Sequence, residues 1–336
     1  MSENSHKIPG SPHVNHSRDF VRNFLFGGSH IDQDDPCIRS ALFMDLHTEG
    51  WIGLPHGGIG MGAMMDLAMM LNNYPQNGES LYPLSIGFRM GGSSVRIGDR
   101  VNVKVSPEHG GASGMITTEK DVLPYMSAAI RYRNDEPHRR DLFISYIPEN
   151  FSDIQNKLIP LPYYKNCFVC GRDRSHPGLK RYFHLLKAKQ PEKLVVSTAG
   201  FDAGDSKTFY LFQRNHIIHP IAFLALLDET MGWAGFMSSA SGAVTVRIRY
   251  TFYRDIHVGE RLVVFGRGEK VKGKAGLRLL FWASGGVAVV NHSGSFEVVI
   301  TSSGQYLGVS ELTEQMKTEL IPKELTTKVF AFAGAQ

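Results

Sequence analysis

"HPIAFLALLDETMGWAGFM", residues 219–237, decides how this chain is read. Its apolar residues are mostly good helix formers, and Pro220 stands where a first helical residue tolerates the loss of an amide. Yet Asp228 and Glu229 sit in its middle, and a buried carboxylate is costly unless it is paired or hydrogen-bonded. "PHGGIGMGAMMDLAMML", residues 55–71, poses the same question with Asp66. The two stretches read as two editions of one device: a His, a greasy helix, and an acid well inside it.

Outward from these helices the chain keeps repeating itself. Residues 57–73 are expected to be helical and to stop at "NNYPQNG", because Pro75 and Gly78 cannot continue a helix. "LSIGFRM", "DRVNVKVSP", "GMITTEKD" and "SAAIRYR" follow as strands, with "LFISYI" as one more. The second helix is preceded by "KLVVSTAGFDAGDSKTFYLFQ". It is followed by "AVTVRIRYTFYR", "ERLVVFGRGEKVKG", "GLRLLFWASGG" and "VAVVNHSGSFEVVITS", rich in β-branched and aromatic residues. "IGDRVNVKV" and "HVGERLVVFGR" match as Gly, acid, Arg, strand, each downstream of its own helix. This predicts an α+β chain, one long helix against an antiparallel sheet, made twice. The divisions expected are a flexible tail over 1–18, a first domain over 19–147, a linker over 148–166 and a second domain over 167–336.

Four pieces resemble the hotdog-fold superfamily of acyl-CoA thioesterases and dehydratases. "CFVCGRDRSHPGLK" (167–180) is similar to the family opening, with His176 where Asn is usual. "HPIAFLALLDETMGWAGF" resembles the central helix, "HVGERLVVFGR" the strand after it, and "PHGGIGMGAMMDLA" the His-Gly-Gly start of a thioesterase helix. The resemblance implies a tandem hotdog fold, in which a curved antiparallel sheet wraps each central helix. It covers residues 167–305 closely and 40–146 more loosely.

The chemistry implied is hydrolysis of an acyl-CoA thioester. The carbonyl lies at the amino end of a central helix, where Gly57 and Gly58 leave backbone amides open and the helix dipole stabilises charge. A carboxylate from the other unit activates water. The catalytic candidates are Asp66, Asp228, Glu229, His56 and His219. The internal repeat favours Glu229, since His56 to Asp66 and His219 to Glu229 are both ten residues. The family's His-to-Asp spacing favours Asp228, and adjacent helical residues point about 100° apart, so one of the two is expected in a given site. The second helix has Pro220-Ile221 in place of Gly-Gly, which predicts two unequal sites. Two alternatives stand beside hydrolysis: an enoyl or 3-hydroxyacyl thioester hydratase-dehydratase, and a non-catalytic acyl-CoA binding protein.

Composition narrows the rest. Residues 1–156 hold 13 Lys and Arg against 18 Asp and Glu, and the remainder 23 against 14, so the second half is basic and suits an anionic ligand or carrier. No nucleic-acid-binding signature and no dinucleotide or phosphate loop is present. The polar start and the lack of a long apolar run point to a cytoplasmic protein without membrane contact. Three cysteines, Cys37, Cys167 and Cys170, make no disulfide framework. Cys167-x-x-Cys170 and the pair His216 and His219 lack further ligands at metal-binding spacing, so no metal is expected. No cofactor is expected beyond coenzyme A as part of the substrate. An acyl carrier protein is the alternative carrier, and a homodimer of such chains fits a fold whose sheets join edge to edge. Met61, Met64, Met65, Met69, Met70 and Trp233 read as core or acyl-pocket wall.

Overall fold

A computed structural model describes residues 19–34, 36–72, 80–119, 121, 123–133, 150–155, 157–186, 194–201, 207–273, 278–320 and 327. The tail over 1–18, the strand at 142–147 and the helix-stop residues Pro75 and Gly78 lie outside them.

A first helix, α1 (Phe20–Phe26), leads into a hairpin of β1 (Ile31–Asp34) and β2 (Cys37–Phe43). Short β3 (Glu49–Trp51) and β4 (Leu54–Pro55) bring the chain to α2 (Gly57–Leu71). Then come β5 (Leu84–Met90), β6 (Arg100–Glu108), β7 (Gly111–Thr118) and β8 (Met126–Arg131). After a helical turn at Ser152–Gln155 lie β9 (Leu158–Pro160), β10 (His184–Leu186), β11 (Leu194–Ala199), β12 (Gln213–Arg214) and β13 (Ile217–Ile218). The second long helix, α3 (Pro220–Ser239), is followed by β14 (Ala243–Phe252), β15 (Leu262–Gly273), β16 (Leu279–Val290), β17 (Phe296–Gly308) and α4 (Ser310–Gln315).

One antiparallel sheet of thirteen strands runs through the molecule in the order β1-β2-β6-β7-β8-β5-β14-β17-β16-β15-β11-β10-β9. Its midpoint is the pairing of β5 with β14, from Leu84 opposite Phe252 to Arg89 opposite Arg247. Outward from that seam the two orders, 5-8-7-6-2-1 and 14-17-16-15-11-10, correspond element for element. The repeat read from the sequence is therefore a repeat of topology.

The two long helices lie against each other inside the sheet. Gly58 and Gly62, one turn apart on α2, face Ala225 and Ile221 of α3. A Cβ on Gly58 would stand 2.4 Å from Ala225 Cβ, and one on Gly62 2.4 Å from Ile221 Cγ1. Glycine is thus required at both positions by close helix approach. With a sheet on one side and a helix on the other, α3 is buried almost all round, from Pro220 to Met237.

Three expectations shift. The first helix stops at Leu71, two residues early. The break between the last strands falls at residues 291–295, so Val287–Val290 belong to β16 rather than opening the next strand. In the segment read as a linker, Ile154 and Leu161 are buried and Leu158–Pro160 pairs with β10, because its apolar residues find the sheet edge. No helix among the described residues is long and apolar enough to cross a membrane.

Candidate active site

His56 and His219 hold the same place on α2 and α3. Each is the N-cap residue in extended conformation, with φ of −67° and ψ of 130° and 140° respectively. In each, imidazole Nδ1 accepts a hydrogen bond from the amide two residues on: Gly58 N at 3.0 Å and Ile221 N at 3.2 Å. An Nδ1 that accepts leaves the proton of the neutral ring on Nε2. That second nitrogen faces an acid on the opposite helix. His56 Nε2 lies 3.5 Å from Glu229 Oε2, and His219 Nε2 lies 3.5 Å from Asp66 Oδ1. The ten-residue register thus pairs each helix start with the other helix's interior.

The two ends differ in everything around that pair. Asp66 is fully buried in an ion-pair cluster. Arg214 from β12 approaches its Oδ1 to 2.6 Å, Arg22 from α1 its Oδ2 to 3.4 Å, and Asp19 joins through Arg214. Burial raises the Asp66 pKa, but His219 and the two guanidinium groups outweigh it and hold the carboxyl well below the usual range. Burial lowers the pKa of His219. Neither Asp66 nor His219 lines the cavity described next. The structure therefore places these two candidates in a closed, charge-compensated core, for which Arg22 and Arg214 gave no warning in the sequence.

The other end opens on a cavity of about 410 Å³. His56, Gly57, Asp228, Glu229, Thr245 and Tyr306 form its polar part. Trp233, Phe236, Tyr125, Met90, Val244 and Met316 are among its apolar walls. Both adjacent acids of α3 enter it, which corrects the expectation of one. The cavity wraps round the flank of the helix and spans the 100° between them.

Asp228 is held from one side. Thr245 Oγ1 donates to its Oδ1 at 2.7 Å and Tyr306 Oη lies 3.5 Å from the same oxygen. Thr245 reaches it because β14 has a register shift between Thr245 and Arg247. Such a bulge re-aims a side chain that simple alternation would turn outward. Asp228 Oδ2 points toward Gly57, where an added Cβ would meet it at 3.3 Å. Burial pushes the Asp228 carboxyl above its ordinary range, while His56 and the Thr245 hydrogen bond pull it partly back. Burial and the Asp228 charge push the Tyr306 phenol well up, so it remains a donor.

The two glycines separate in role. Gly58 N–H is taken by His56, and its Cα faces α3. Gly57 faces the cavity, and its N–H, at the first helical position, has no acceptor among the described residues. At the equivalent position α3 has Pro220, which has no N–H to offer.

Cys167 completes the polar wall. Its Sγ donates to Glu229 Oε2 at 3.0 Å and accepts from the amides of Val169 and Cys170 at 3.3 and 3.4 Å. Burial raises both thiols, Cys170 the more strongly. The ligand atoms of His56, Cys167 and Glu229 lie within 4.8 Å of one another, close enough for a metal ion. However, a metal on His56 Nε2 needs a lone pair there and a proton on Nδ1, which faces the Gly58 N–H. The trio therefore converges on Glu229, which accepts from Cys167 Sγ and faces His56 Nε2 at 3.5 Å. His216 is exposed in the turn between β12 and β13, apart from buried His219. Thr245, Tyr306, Tyr125 and Met316 escaped sequence reading, since isolated residues in strands, in the bend before β8 and just after α4 carry no spacing signal.

No family model and no curated protein matches the chain. Solved structures do. An acyl-CoA thioesterase II, TesB2, from Mycobacterium marinum is 13% identical, with 86% of this chain and 98% of that one covered at a TM-score of 0.46. The dehydratase domain of PpsC from Mycobacterium tuberculosis, in complex with C12:1-CoA, is 15% identical over 85% and 99%, also at 0.46. A protein of unknown function with a hot dog fold from Alicyclobacillus acidocaldarius is 10% identical over 83% and 96%, at 0.45.

Proposed function

We propose that the chain is a tandem hotdog protein with one working site, which hydrolyses an acyl thioester carried on coenzyme A or another phosphopantetheine arm. The observation that carries this reading is the disposition of Asp228 Oδ2 toward the open amide end of α2 at Gly57. The thioester carbonyl accepts from Gly57 N–H, where the helix dipole adds positive potential. A water between Asp228 Oδ2 and the carbonyl carbon gives its proton to the carboxylate as its oxygen attacks. Charge gathers on the carbonyl oxygen at Gly57. Collapse breaks the C–S bond, and the thiolate takes the proton back from Asp228. Raised proton affinity makes Asp228 a better base than an exposed aspartate. Thr245 and Tyr306 fix it by occupying Oδ1, and the Gly58 N–H bond to His56 Nδ1 fixes the helix start.

Hydration or dehydration needs a His free to move protons at the substrate's carbons. His56 Nδ1 is taken by Gly58 N–H and its Nε2 faces Glu229 at 3.5 Å, which favours hydrolysis. The deciding experiment presents acyl-CoA thioesters of graded length, with aryl and enoyl members, and follows free thiol and loss of the enoyl chromophore separately. Thiol release is expected. Enoyl hydration without thiol release moves the reading to a hydratase, and tight binding with neither reaction moves it to a binding protein.

A further inference from the structure

The outward face of the sheet carries an arrangement that the cavity does not use. Across five neighbouring strands the register aligns Arg89 of β5, Arg247 of β14, Gln305 of β17, Trp282 of β16 and Lys270 of β15 in one row. Their chain neighbours Phe88, Ile248, Tyr306 and Phe281 are buried, so the row points away from the core. Arg89, Arg247 and Lys270 are exposed, as is Arg249 two residues further along β14. Arg89 and Arg247 are directly opposed across the seam, and like charges so placed destabilise a sheet. Among the described residues no carboxylate pairs with Arg89, Arg247 or Arg249. Glu269, beside Lys270, is already held by Arg267 and Ser284. A cost that no carboxylate among the described residues offsets points to an external anion.

The shape of the row says which anion. Strands lie about 4.8 Å apart, so five of them span about 19 Å. That is the length of roughly 13 residues of helix at 1.5 Å each, and more than one nucleotide covers. Trp282 stands between the arginines and Lys270, and Trp and Arg are the residues that dominate protein interfaces. The row is close in the chain to residues of the cavity on the opposite face of the sheet. Arg89 precedes Met90, a cavity-lining residue, and Val244 lines the cavity while remaining 37% exposed. An arm reaching the cavity past Val244 would start from whatever sits on this row.

We propose that the row docks an acidic helix of a small carrier protein that presents the acyl group on a phosphopantetheine arm. This rests on the thioester reading of the cavity but is tested without catalysis. A fluorescently labelled bacterial acyl carrier protein, loaded with phosphopantetheine but no acyl group, is titrated with the full chain and binding is followed by anisotropy. Binding is expected at low salt, weakening as salt rises. Arg247→Glu and Trp282→Ala should each weaken it about tenfold or more. Arg247→Glu turns a like-charge cross-strand pair into an opposite one, so it should fold at least as well as the parent. Its KM for acyl-CoA should stay within about twofold, since the row is not part of the cavity. Absent binding by the parent, or undiminished binding by Arg247→Glu, overturns the proposal. A raised KM for acyl-CoA in Arg247→Glu also overturns it and gives the row to the nucleotide of coenzyme A. Failed thiol release with intact carrier binding would sink only the hydrolysis reading.

Discussion

Asp228→Asn should move activity and stability in opposite directions. The amide keeps the shape of the carboxyl, and its oxygen can still accept from Thr245 at the 2.7 Å position. Its nitrogen, placed where Oδ2 faces Gly57, cannot take a proton from water. Loss of a positioned general base costs about 100- to 10,000-fold in kcat. Stability follows the sign of the pKa shift. Burial raises the folded-state pKa of Asp228 above its unfolded value, so the group favours the fold only while it is protonated. That contribution is complete below the unfolded pKa of about 3.9 and is lost as pH rises through the folded value. At pH 7 the folded chain carries a buried charge that water would solvate better, and the variant removes it. Thiol release from acyl-CoA, read beside calorimetric Tm at pH 7 and pH 4, checks both halves. The Tm gain should be larger at pH 7 than at pH 4. A variant that keeps its kcat removes Asp228 from the chemistry, and one that loses Tm at pH 7 refutes the account of its burial.

Asp66→Asn should do the reverse. It leaves Arg22 and Arg214 without their shared carboxylate, and breaking a buried ion pair costs about 3–5 kcal/mol. Because the Asp66 pKa is depressed, that stability is present above about pH 4 and is lost as pH falls further, so acid denaturation curves of parent and variant should converge. Thiol release per folded molecule should stay within a few-fold. Gly57→Ala should cut kcat/KM about tenfold with little change in Tm, its methyl 3.3 Å from Asp228 Oδ2, whereas Gly58→Ala, driven against the α3 backbone, should cost about 1–3 kcal/mol of stability. A pair of variants that lost the same property would erase the distinction between the two glycines. Met316→Ala deepens the cavity wall and should favour longer acyl chains, each added methylene being worth about 0.8 kcal/mol or fourfold in kcat/KM. An unchanged chain-length profile would place Met316 away from the acyl group.

The sheet was legible where one face is buried and the other wet. "VNVKV" became part of β6 because period-two alternation records that contrast directly. The helices were legible through their punctuation, His-Gly-Gly and His-Pro. The ten-residue step from His to acid was also present in the sequence, and it links Glu229 to the His56 end through the crossing of α2 and α3. What could not be read was anything set by a local irregularity or a distant neighbour. Thr245 points at Asp228 because of a bulge, and no residue in "AVTVRIRYTFYR" announces one. Tyr306 arrives from a strand 78 residues after Asp228. Arg22 comes from a helix of seven residues, too short for periodicity to declare. Gly57 and Gly58 look identical in sequence, and only the packing of α3 separates an open amide from a contact point.

The two ends are unequal in chemistry as well as in space. At the closed end, Pro220 has no amide proton where Gly57 has one, so the donor proposed to hold the oxyanion is missing even before space is considered. Pro220→Gly would restore that donor. It would not restore the rest. Asp66 remains locked by two arginines, its proton affinity is lowered rather than raised, and Ile221 fills the groove at Gly62. A base held well below its ordinary pKa takes a proton from water poorly. Pro220→Gly in an Asp228→Asn background should therefore remain without thiol release, although the same amide at the other helix is asked to carry the oxyanion. Activity recovered in that double variant would mean that a bare helix amide suffices at the closed end and that the locked Asp66 is no obstacle there. Silence there, with turnover intact in Pro220→Gly alone, leaves the open end as the place where an amide, a raised carboxyl and room for the thioester meet.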